Sequence, residues 1–282
     1  MSDERAAADV GDGAPARPPA AVHERSRDTW AVRDPAAHAR AVRAMFARIA
    51  GAYDFMNHLL SLNLDRRWRR RLVTRLDADA WEVLDACAGT GDLALACLRA
   101  GKGRLLLVSD FCPEMLARGR AKGLGAPPGE GSGRRGAPEG EPAAAGAGVA
   151  RASALLAADA QRLPLPDAAV DAVVVAFGVR NLADVRAGVG ELVRALRPGG
   201  QLLVLEFFRA DPAATGPARG AAAPVRAWLR ATLPLLGRLF ARDGSAYGYL
   251  PASMGRFLSV PEFCSVLAAA GLADVAVERQ TL

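Results

Sequence analysis

Short apolar segments alternate with helical segments along the chain from Trp81 to residue 207. Five of these segments are apolar throughout, which predicts strands that are buried on both faces of a sheet. Such strands, separated by helices, are typical of βαβ units in a parallel sheet. The predicted strands occupy residues 83–84, 105–108, 154–157, 170–177 and 201–207. The pattern therefore predicts a doubly wound α/β fold, with its binding site at the carboxyl ends of the strands, where the strand order reverses.

An apolar stripe precedes the first predicted strand. Its members recur at three- and four-residue steps, which indicates an amphipathic helical pattern. A cationic run, residues 66–71 with Trp68 inside it, follows the stripe. We therefore expect residues 34–75 to form N-terminal covering helices. The stripe consists of Val42, Met45, Phe46, Ile49, Tyr53, Met56 and Leu60.

Two stretches lack this periodicity. Residues 1–33 carry mixed charges and several prolines and cannot bury enough apolar area to offset chain entropy, so we expect a disordered N-terminal tail. Residues 123–148 are rich in Gly and Pro and are expected to form a disordered surface insertion. The rest of the chain, residues 34–282, is predicted to be one domain.

A second amphipathic stretch lies within residues 210–255, which we expect to form helices on the substrate side. It runs from Val225 to Phe240 and is interrupted by Pro234. This pattern suits a lid over the substrate or a contact with a membrane surface. A helix packed on the core, or against a second copy in a homodimer, explains the pattern equally well, so both interpretations stay open.

Composition favours a globular enzyme. The chain has 282 residues, of which 51% are hydrophobic, enough to bury a sizeable core. Its net charge of +6 comes almost wholly from Arg, since Lys occurs only at Lys102 and Lys122. The chain is also rich in Ala, Gly and Pro. The composition of the genome therefore explains the positive charge as well as a polyanionic partner does. No nucleic-acid binding is therefore expected.

The cysteines and the apolar runs bear on the compartment. The four cysteines form no C-x-x-C pair and have no His at ligand spacing, so neither a metal site nor a disulfide framework is predicted. A reduced, cytoplasmic compartment fits this pattern. No apolar run reaches the length of about 18 residues that a membrane span needs. Residues 1–19 also lack the apolar core of a signal peptide, so we expect neither a transmembrane segment nor secretion.

A glycine motif at the end of the first predicted strand is the first candidate for chemistry. Gly89, Thr90 and Gly91 open a helix, where glycine permits unusual dihedral angles and lets a ligand approach the backbone. The motif also satisfies a relaxed dinucleotide fingerprint, and Asp110 stands at the spacing of a ribose-binding acid in either case. The motif alone therefore leaves both cofactors open.

Three further features favour S-adenosylmethionine over a dinucleotide. Asp159 and Ala160 follow the third predicted strand, where the carboxylate could accept the exocyclic amine of adenine. Residues 197–200 form a predicted turn after a helix that contains Leu196, and the fifth strand ends at Glu206. Each feature alone also fits a helix cap, a strand-end turn or a solvated acid. Their order and spacing together are typical of a class I methyltransferase.

The sequence resembles the C-methyltransferases of menaquinone and ubiquinone biosynthesis over about residues 40–120 and 150–282. The Tyr-Asp-x-Met-Asn and Phe-Gly-Val-Arg-Asn segments are the specific ones, since methyltransferases in general lack them. The motifs that carry the resemblance are Met45-Phe46-x-x-Ile49-Ala50, Tyr53-Asp54-x-Met56-Asn57, Leu60-Ser61-Leu62, Arg66-Arg67-Trp68-Arg69, Ala88-Gly89-Thr90-Gly91-Asp92, Ala176-Phe177-Gly178-Val179-Arg180-Asn181, Leu205-Glu206-Phe207 and Tyr249-Leu250-Pro251.

The resemblance implies a function and a set of contacts. It implies a Rossmann-like fold that transfers a methyl group from S-adenosylmethionine to a ring carbon of a prenylated quinol, with demethylmenaquinol as the expected substrate. That substrate places the enzyme in the cytoplasm, at the inner face of the membrane. The family's cofactor contacts map onto Thr90, Asp110, Asp159 and Ala160.

Three departures from the family pattern bear on these expectations. Ala176 stands where members have a small polar residue, so one cofactor hydrogen bond is expected to be absent. The insertion at residues 123–148 is foreign to the pattern. Family members continue past the equivalent of Leu282 with a final apolar strand, so we expect either that this strand is missing or that the sequence is truncated. A strand at residues 275–279 would then be left as an exposed edge.

Methyl transfer to a quinol carbon needs a group that raises the electron density of the ring, by taking the hydroxyl proton or stabilising the oxygen's charge. Arg180 and Asn181 follow the fourth predicted strand, where catalytic groups belong in an open α/β sheet. We therefore predict both as catalytic, although an Arg that only forms an ion pair fits the position too. Tyr53, Asp54 and Asn57 are predicted to line the substrate pocket.

Histidine is scarce, and His58 on the first helical stretch is expected to lie on a helix surface. Several other functions stay open. One is methylation in ubiquinone biosynthesis, or of another lipid or natural product. Another is a non-catalytic subunit that binds S-adenosylmethionine within a quinone-synthesis assembly.

Overall fold

A computed structural model describes residues 34–126, 152–209 and 253–280. Its helices are α1 (Pro35–Ile49), α2 (Tyr53–Leu60), α3 (Leu64–Thr74), α4 (Asp92–Arg99), α5 (Pro113–Ala121), α6 (Val185–Ala195) and α7 (Val260–Ala269). Its strands are β1 (Glu82–Ala86), β2 (Leu105–Asp110), β3 (Ala152–Ala157), β4 (Val170–Ala176) and β5 (Leu196–Leu205). A short 3-10 turn, Val179–Asn181, follows β4. The predictions for residues 1–33, and for most of 123–148 and of 210–255, lie outside the described residues.

The five strands form one parallel sheet in the order β3-β2-β1-β4-β5. Leu84 at the centre of β1 pairs with Leu107 of β2 on one side and with Val173 of β4 on the other. Since β2 and β3 lie between β1 and β4 in the chain, the strand order reverses where β1 meets β4. The predicted doubly wound α/β fold is confirmed.

Helices cover both faces of the sheet, which explains why the strands are apolar throughout. Successive residues of a strand point to opposite faces. Val173 packs with Leu192 of α6 and Phe263 of α7, whereas Val174 packs with Leu93 of α4 in a separate cluster. Both valines have no exposed surface. The sheet therefore lies between two apolar layers and holds its carboxyl ends rigidly in place.

The predicted apolar stripe is buried but is divided between two helices. Val42 of α1 and Met56 of α2 both belong to the core. Gly51 lies in the turn between the helices, and glycine disfavours a helix by about 1 kcal/mol relative to alanine. A Cβ atom at Gly51 would also lie 3.1 Å from a guanidinium nitrogen of Arg118 on α5. The stripe therefore continues across a break in the helix.

The predicted turn at residues 197–200 is a register irregularity inside β5. Leu196, predicted to be helical, pairs with Val170 at the start of β5. Arg197 explains the irregularity, because its guanidinium binds Asp171 of β4 and lies 2.7 Å from a carboxylate oxygen of Glu82. Gly200 lies at the irregularity, where a Cβ atom would be 2.8 Å from the carbonyl oxygens of Arg197 and Asp171, so the close approach of the two strands requires glycine.

The predicted strand at residues 275–279 is wrong, because the described chain has no strand there. Within the described residues, β5 pairs with β4 and no strand lies along its other edge. Glu278 instead accepts hydrogen bonds from the guanidinium groups of Arg71 and Arg75, with a distance of 2.8 Å to Arg75. These ion pairs hold the segment against α3, where Val277 remains 54% exposed.

The described residues include no helix that is long and apolar enough to cross a membrane. All four cysteines are free thiols. Burial raises the pKa of Cys97 to about 12, so this thiol stays protonated inside the core.

Candidate functional site

A cavity opens at the carboxyl ends of the strands, where the sequence places the site. Six of the predicted site residues line it, and they come from α2, from the segments after β1, β2 and β3, and from the turn after β4. These residues are Tyr53, Gly89, Asp110, Asp159, Ala160 and Asn181.

The loop between β1 and α4 forms one wall of the cavity. Gly89 and Gly91 have φ angles of +57° and +78°, which only glycine adopts without strain. A Cβ atom on Gly91 would lie 2.1 Å from a methyl carbon of Leu124. Packing against Leu124 therefore requires glycine at Gly91, which does not line the cavity, whereas Gly89 does line it.

Asp110 ends β2 and is 6% exposed. Its carboxylate accepts hydrogen bonds from the backbone N–H groups of Gly89 and Cys112, each at 2.8 Å. Burial raises the pKa of Asp110 to about 6, although both hydrogen bonds lower it. At neutral pH the group is therefore an ionised acceptor that could bind the hydroxyl groups of a ribose.

Asp159 and Ala160 follow β3 on the opposite wall. The Oδ1 atom of Asp159 accepts a hydrogen bond from the backbone N–H of Gln161 at 2.9 Å. The side chain of Gln161 also lines the cavity and accepts a hydrogen bond from the backbone N–H of Asp184 at 2.8 Å. Gln161 thus fixes two loops of the site. No sequence pattern signals this role, apart from the position of Gln161 next to Ala160.

Tyr53 projects from α2 into the cavity, where its ring meets Phe46 edge to face at 5.8 Å between centroids. Burial raises the pKa of its hydroxyl, while a hydrogen bond with Asn57 and the charges of Arg180 and Arg69 lower it. Because burial has the larger effect, the hydroxyl stays protonated at neutral pH. Tyr53 can therefore donate a hydrogen bond inside a field created by two guanidinium groups.

Arg180 and Asn181 lie on the turn after β4, but only Asn181 lines the cavity. The Nη1 atom of Arg180 donates to Oε1 of Glu206 at 2.5 Å and to the carbonyl oxygen of Phe177 at 2.8 Å. The side chain of Arg180 is 8% exposed and that of Glu206 is fully buried. Among the described residues, Nε of Arg180 is buried without a hydrogen-bond partner.

Aromatic rings surround this ion pair. Phe177 lines the cavity and stacks on Phe207, with ring centroids 4.8 Å apart, and Trp68 of α3 meets both rings edge to face. The guanidinium carbon atoms of Arg69 and Arg180 lie 5.4 Å and 6.0 Å from the centroid of Phe177. The rings exclude water from this part of the site and strengthen its electrostatics.

Besides Arg180, four predicted site residues do not line the cavity: Thr90, Gly91, Asp54 and Asn57. The hydroxyl of Thr90 donates to Asp54 at 2.5 Å and accepts from Nζ of Lys122 at 2.9 Å. The same ammonium group lies 2.6 Å from Asp54 and 2.7 Å from Asp92. Sequence reasoning missed Lys122, although its place as one of two lysines in an Arg-rich chain was a signal.

His58, which we expected on a helix surface, lies in a second polar network behind the glycine loop. Its Nδ1 atom is 2.9 Å from Asp65, and its Nε2 atom is 3.9 Å from Asp92. Ligand atoms of these three residues lie within 4.8 Å of one another, a grouping that could hold a metal ion. Arg69 and Lys122 already neutralise the two carboxylates, however. The network therefore ties α2, α3 and α4 together.

Comparison with known proteins gives a consistent picture. The model of the ubiE/COQ5 methyltransferase family matches residues 35–126 and 139–282. A demethylmenaquinone methyltransferase of Thermus thermophilus is 40% identical over 229 residues, which cover 80% of this chain and 90% of that protein. A ubiquinone/menaquinone biosynthesis C-methyltransferase of Geobacter sulfurreducens is 36% identical over 242 residues, which cover 85% of this chain and 84% of that protein.

A solved structure from Thermotoga maritima resembles the fold. It is described as a SAM-dependent methyltransferase, possible histamine N-methyltransferase. The TM-score is 0.51 at 15% identity, and the match covers 83% of this chain and 82% of that chain. The similarity supports the architecture of the sheet and its helices, and nothing about the substrate.

Proposed function

The chain belongs to the ubiE/COQ5 methyltransferase family, and on that premise we propose that it methylates a ring carbon of demethylmenaquinol. The methyl donor is S-adenosylmethionine, as in methyltransferases of this fold. The observation that carries the proposal is the family match, which spans nearly all of the described chain. Two relatives, from Thermus thermophilus and Deinococcus radiodurans, bear the name demethylmenaquinone methyltransferase at 40% and 36% identity.

The residues of the cavity fit S-adenosylmethionine. Asp110 offers a carboxylate to the ribose hydroxyl groups, and Asp159 offers a carboxylate to the adenine amine. Gly89 leaves the space beside its backbone open to a ligand, because a Cβ atom there would already contact the ring of Tyr53 at 3.7 Å. When bound, the cofactor supplies an electrophilic methyl group attached to a positively charged sulfur. The protein's task is to align the quinol carbon and raise its electron density.

Tyr53, Asn181 and Arg180 are the groups that we assign to the quinol. A quinol hydroxyl has a pKa near that of tyrosine, about 10, so its ionisation needs help at neutral pH. The protonated hydroxyl of Tyr53 and the amide of Asn181 would donate hydrogen bonds to the quinol oxygen. The Nε–H of Arg180, which has no other partner among the described residues, would add a charged donor as negative charge develops.

The prenyl tail of the substrate confines it to a bilayer, so we place the reaction at the cytoplasmic face of the membrane. A homodimer stays a prediction, because the stretch that suggested it lies in residues 225–240, outside the described part. A second candidate substrate is the ring-demethylated intermediate of ubiquinone biosynthesis. The name of the Geobacter sulfurreducens relative covers both pathways, which keeps this candidate open.

A parallel assay tests the proposal. Purified protein, S-adenosylmethionine and either demethylmenaquinol or the demethylated ubiquinol intermediate are incubated under reducing conditions, and products are identified by mass spectrometry. We expect a methylated product from demethylmenaquinol. Turnover of the ubiquinol intermediate alone would move the enzyme to the other pathway, and turnover of neither quinol would overturn the proposal. Complementation of a strain that lacks quinone methylation checks the result in cells.

A further inference from the structure

The corner between α2 and α3 exposes an apolar side chain in a strained turn. Leu62 is 51% exposed, and it adopts a φ angle of +53°, followed by Asn63 at +61°. Two consecutive residues other than glycine in the left-handed region are costly. Phe55 of α2 is 54% exposed. The segment that contains α2 and α3 thus keeps two large apolar side chains at the surface.

The outer side of α3 adds positive charge next to this corner. Arg66, Arg67 and Arg70 are exposed, and no carboxylate within the described ranges forms an ion pair with any of them. The neighbouring arginines of α3 differ, because Arg69 binds the buried Asp65 and Arg71 binds Glu278. Three guanidinium groups are therefore available to an external anion.

We propose that this surface, formed by Phe55, Leu62, Arg66, Arg67 and Arg70 and named here the outer α2–α3 surface, binds an anionic phospholipid bilayer. Guanidinium groups form paired hydrogen bonds with phosphate, and apolar side chains enter the boundary between headgroups and acyl chains. Nucleic acid would satisfy the charges but gives no reason to expose two apolar groups. The combination therefore favours lipid.

The opposite side of the same helices faces the cavity. Trp68, on the inner side of α3, contacts Phe177, which lines the cavity. Tyr53 on α2 also lines it, whereas Phe55 two residues later points outward. A helix with its side chains is about 10 Å across. A bilayer on the outer α2–α3 surface would thus lie about one helix diameter from the cavity, a short distance for a membrane-borne quinol to travel.

Vesicle binding tests the surface without reference to catalysis. The full-length protein is sedimented with vesicles of phosphatidylcholine, with or without phosphatidylglycerol. We expect binding to the anionic vesicles, and a loss of about 100-fold in the triple variant Arg66→Gln, Arg67→Gln, Arg70→Gln, from about five-fold for each guanidinium. Leu62→Ser should weaken binding as well.

The matched control is Arg99→Gln, Arg118→Gln, Arg120→Gln, which removes three exposed arginines from α4 and α5 and changes the net charge equally. The control variant should retain most of the binding to anionic vesicles. Such a result would show that binding depends on the outer α2–α3 surface and not only on the net charge of the protein. An equal loss in both triple variants would overturn the proposal. Stronger binding to single-stranded RNA than to anionic vesicles, lost in the first triple variant, would also overturn it and assign the surface to nucleic acid.

The link to the reaction rests on the proposed function and needs a separate measurement. Turnover of demethylmenaquinol embedded in anionic vesicles is compared with turnover of a soluble quinol that lacks the prenyl tail. The first triple variant should lose activity on the embedded substrate and keep it on the soluble one. If the first triple variant turned over the embedded and the soluble substrates equally well, the role of the surface in catalysis would be overturned. Inactivity of the unaltered protein on both would refute the proposed function and leave the vesicle-binding result standing.

Discussion

The buried ion pair between Arg180 and Glu206 allows a catalytic role to be separated from a structural one. Arg180→Met removes the guanidinium but leaves a carboxylate whose side chain is fully buried. Two backbone N–H groups still donate to that carboxylate, from Phe207 at 2.8 Å and from Arg180 itself at 3.3 Å. Breaking a buried pair costs about 3–5 kcal/mol, and the two remaining donors favour the lower end, about 3 kcal/mol.

That loss of unfolding free energy corresponds to a decrease in Tm of about 6–12 °C for a chain of this size. Glu206→Gln in the Arg180→Met background removes the unpaired charge and should recover much of the stability. A double-mutant cycle, measured by denaturant unfolding, should therefore give a coupling free energy of about 1–3 kcal/mol. Unchanged stability in Arg180→Met would refute the importance of the pair for the fold.

Turnover should not recover with stability. If Arg180 stabilises charge on the quinol oxygen, Arg180→Met lowers turnover by about 10²–10³-fold, and the double variant remains as slow. Arg180→Lys should recover part of the activity, because it keeps the charge without the planar fork. The dissociation constant for S-adenosylmethionine should stay the same in all variants, as measured by calorimetry. Recovery of turnover together with stability would assign Arg180 a structural role alone.

Three further predictions concern the cofactor loop and the core. Because the pKa of Asp110 is raised to about 6, the affinity for S-adenosylmethionine should fall as pH falls through that value. A constant affinity from about pH 8 to about pH 5 would show that Asp110 does not belong to the site. Burial raises the pKa of Asp85 to about 8, above its value in the unfolded chain, so its contribution to stability is complete at low pH and is lost as pH rises. The unfolding free energy should fall by up to about 1.4 kcal/mol per pH unit between the two pKa values, and Asp85→Asn should flatten that profile in denaturant unfolding. Lys122→Met removes the ammonium group that binds Thr90 and should weaken cofactor binding several-fold, as measured by calorimetry. The control is Lys102→Met, which loses only a hydrogen bond to a backbone carbonyl oxygen. This control should lower the stability of the protein and leave the cofactor affinity unchanged.

The sheet could be predicted because its strands are buried on both faces, which leaves an unbroken apolar pattern in the sequence. The start of β5 could not, because it depends on where the side chain of Arg197 finds Asp171 across the sheet. The strand expected at residues 275–279 failed for a related reason. Its local pattern was suitable, but strand formation depends on a neighbour, and Glu278 binds α3 instead.

The candidate site, too, could be predicted from the sequence only in part. Gly89, Asp110 and Asp159 meet in one cavity because parallel strands bring their carboxyl ends to one edge, a consequence of topology that the sequence pattern contains. The bond between Thr90 and Lys122 joins residues 32 positions apart through their side chains. No periodicity or motif predicts such a contact, since it depends on how α5 packs beside the glycine loop.

The fate of a labelled methyl group tests the central claim most directly. The protein is incubated with demethylmenaquinol and S-adenosylmethionine that carries a deuterated methyl group, and the purified product is examined by mass spectrometry and NMR. The account predicts one intact deuterated methyl group bonded to a ring carbon, with no label on either quinol oxygen. Label on an oxygen, or an unlabelled quinol alongside a cofactor that binds normally, would contradict it.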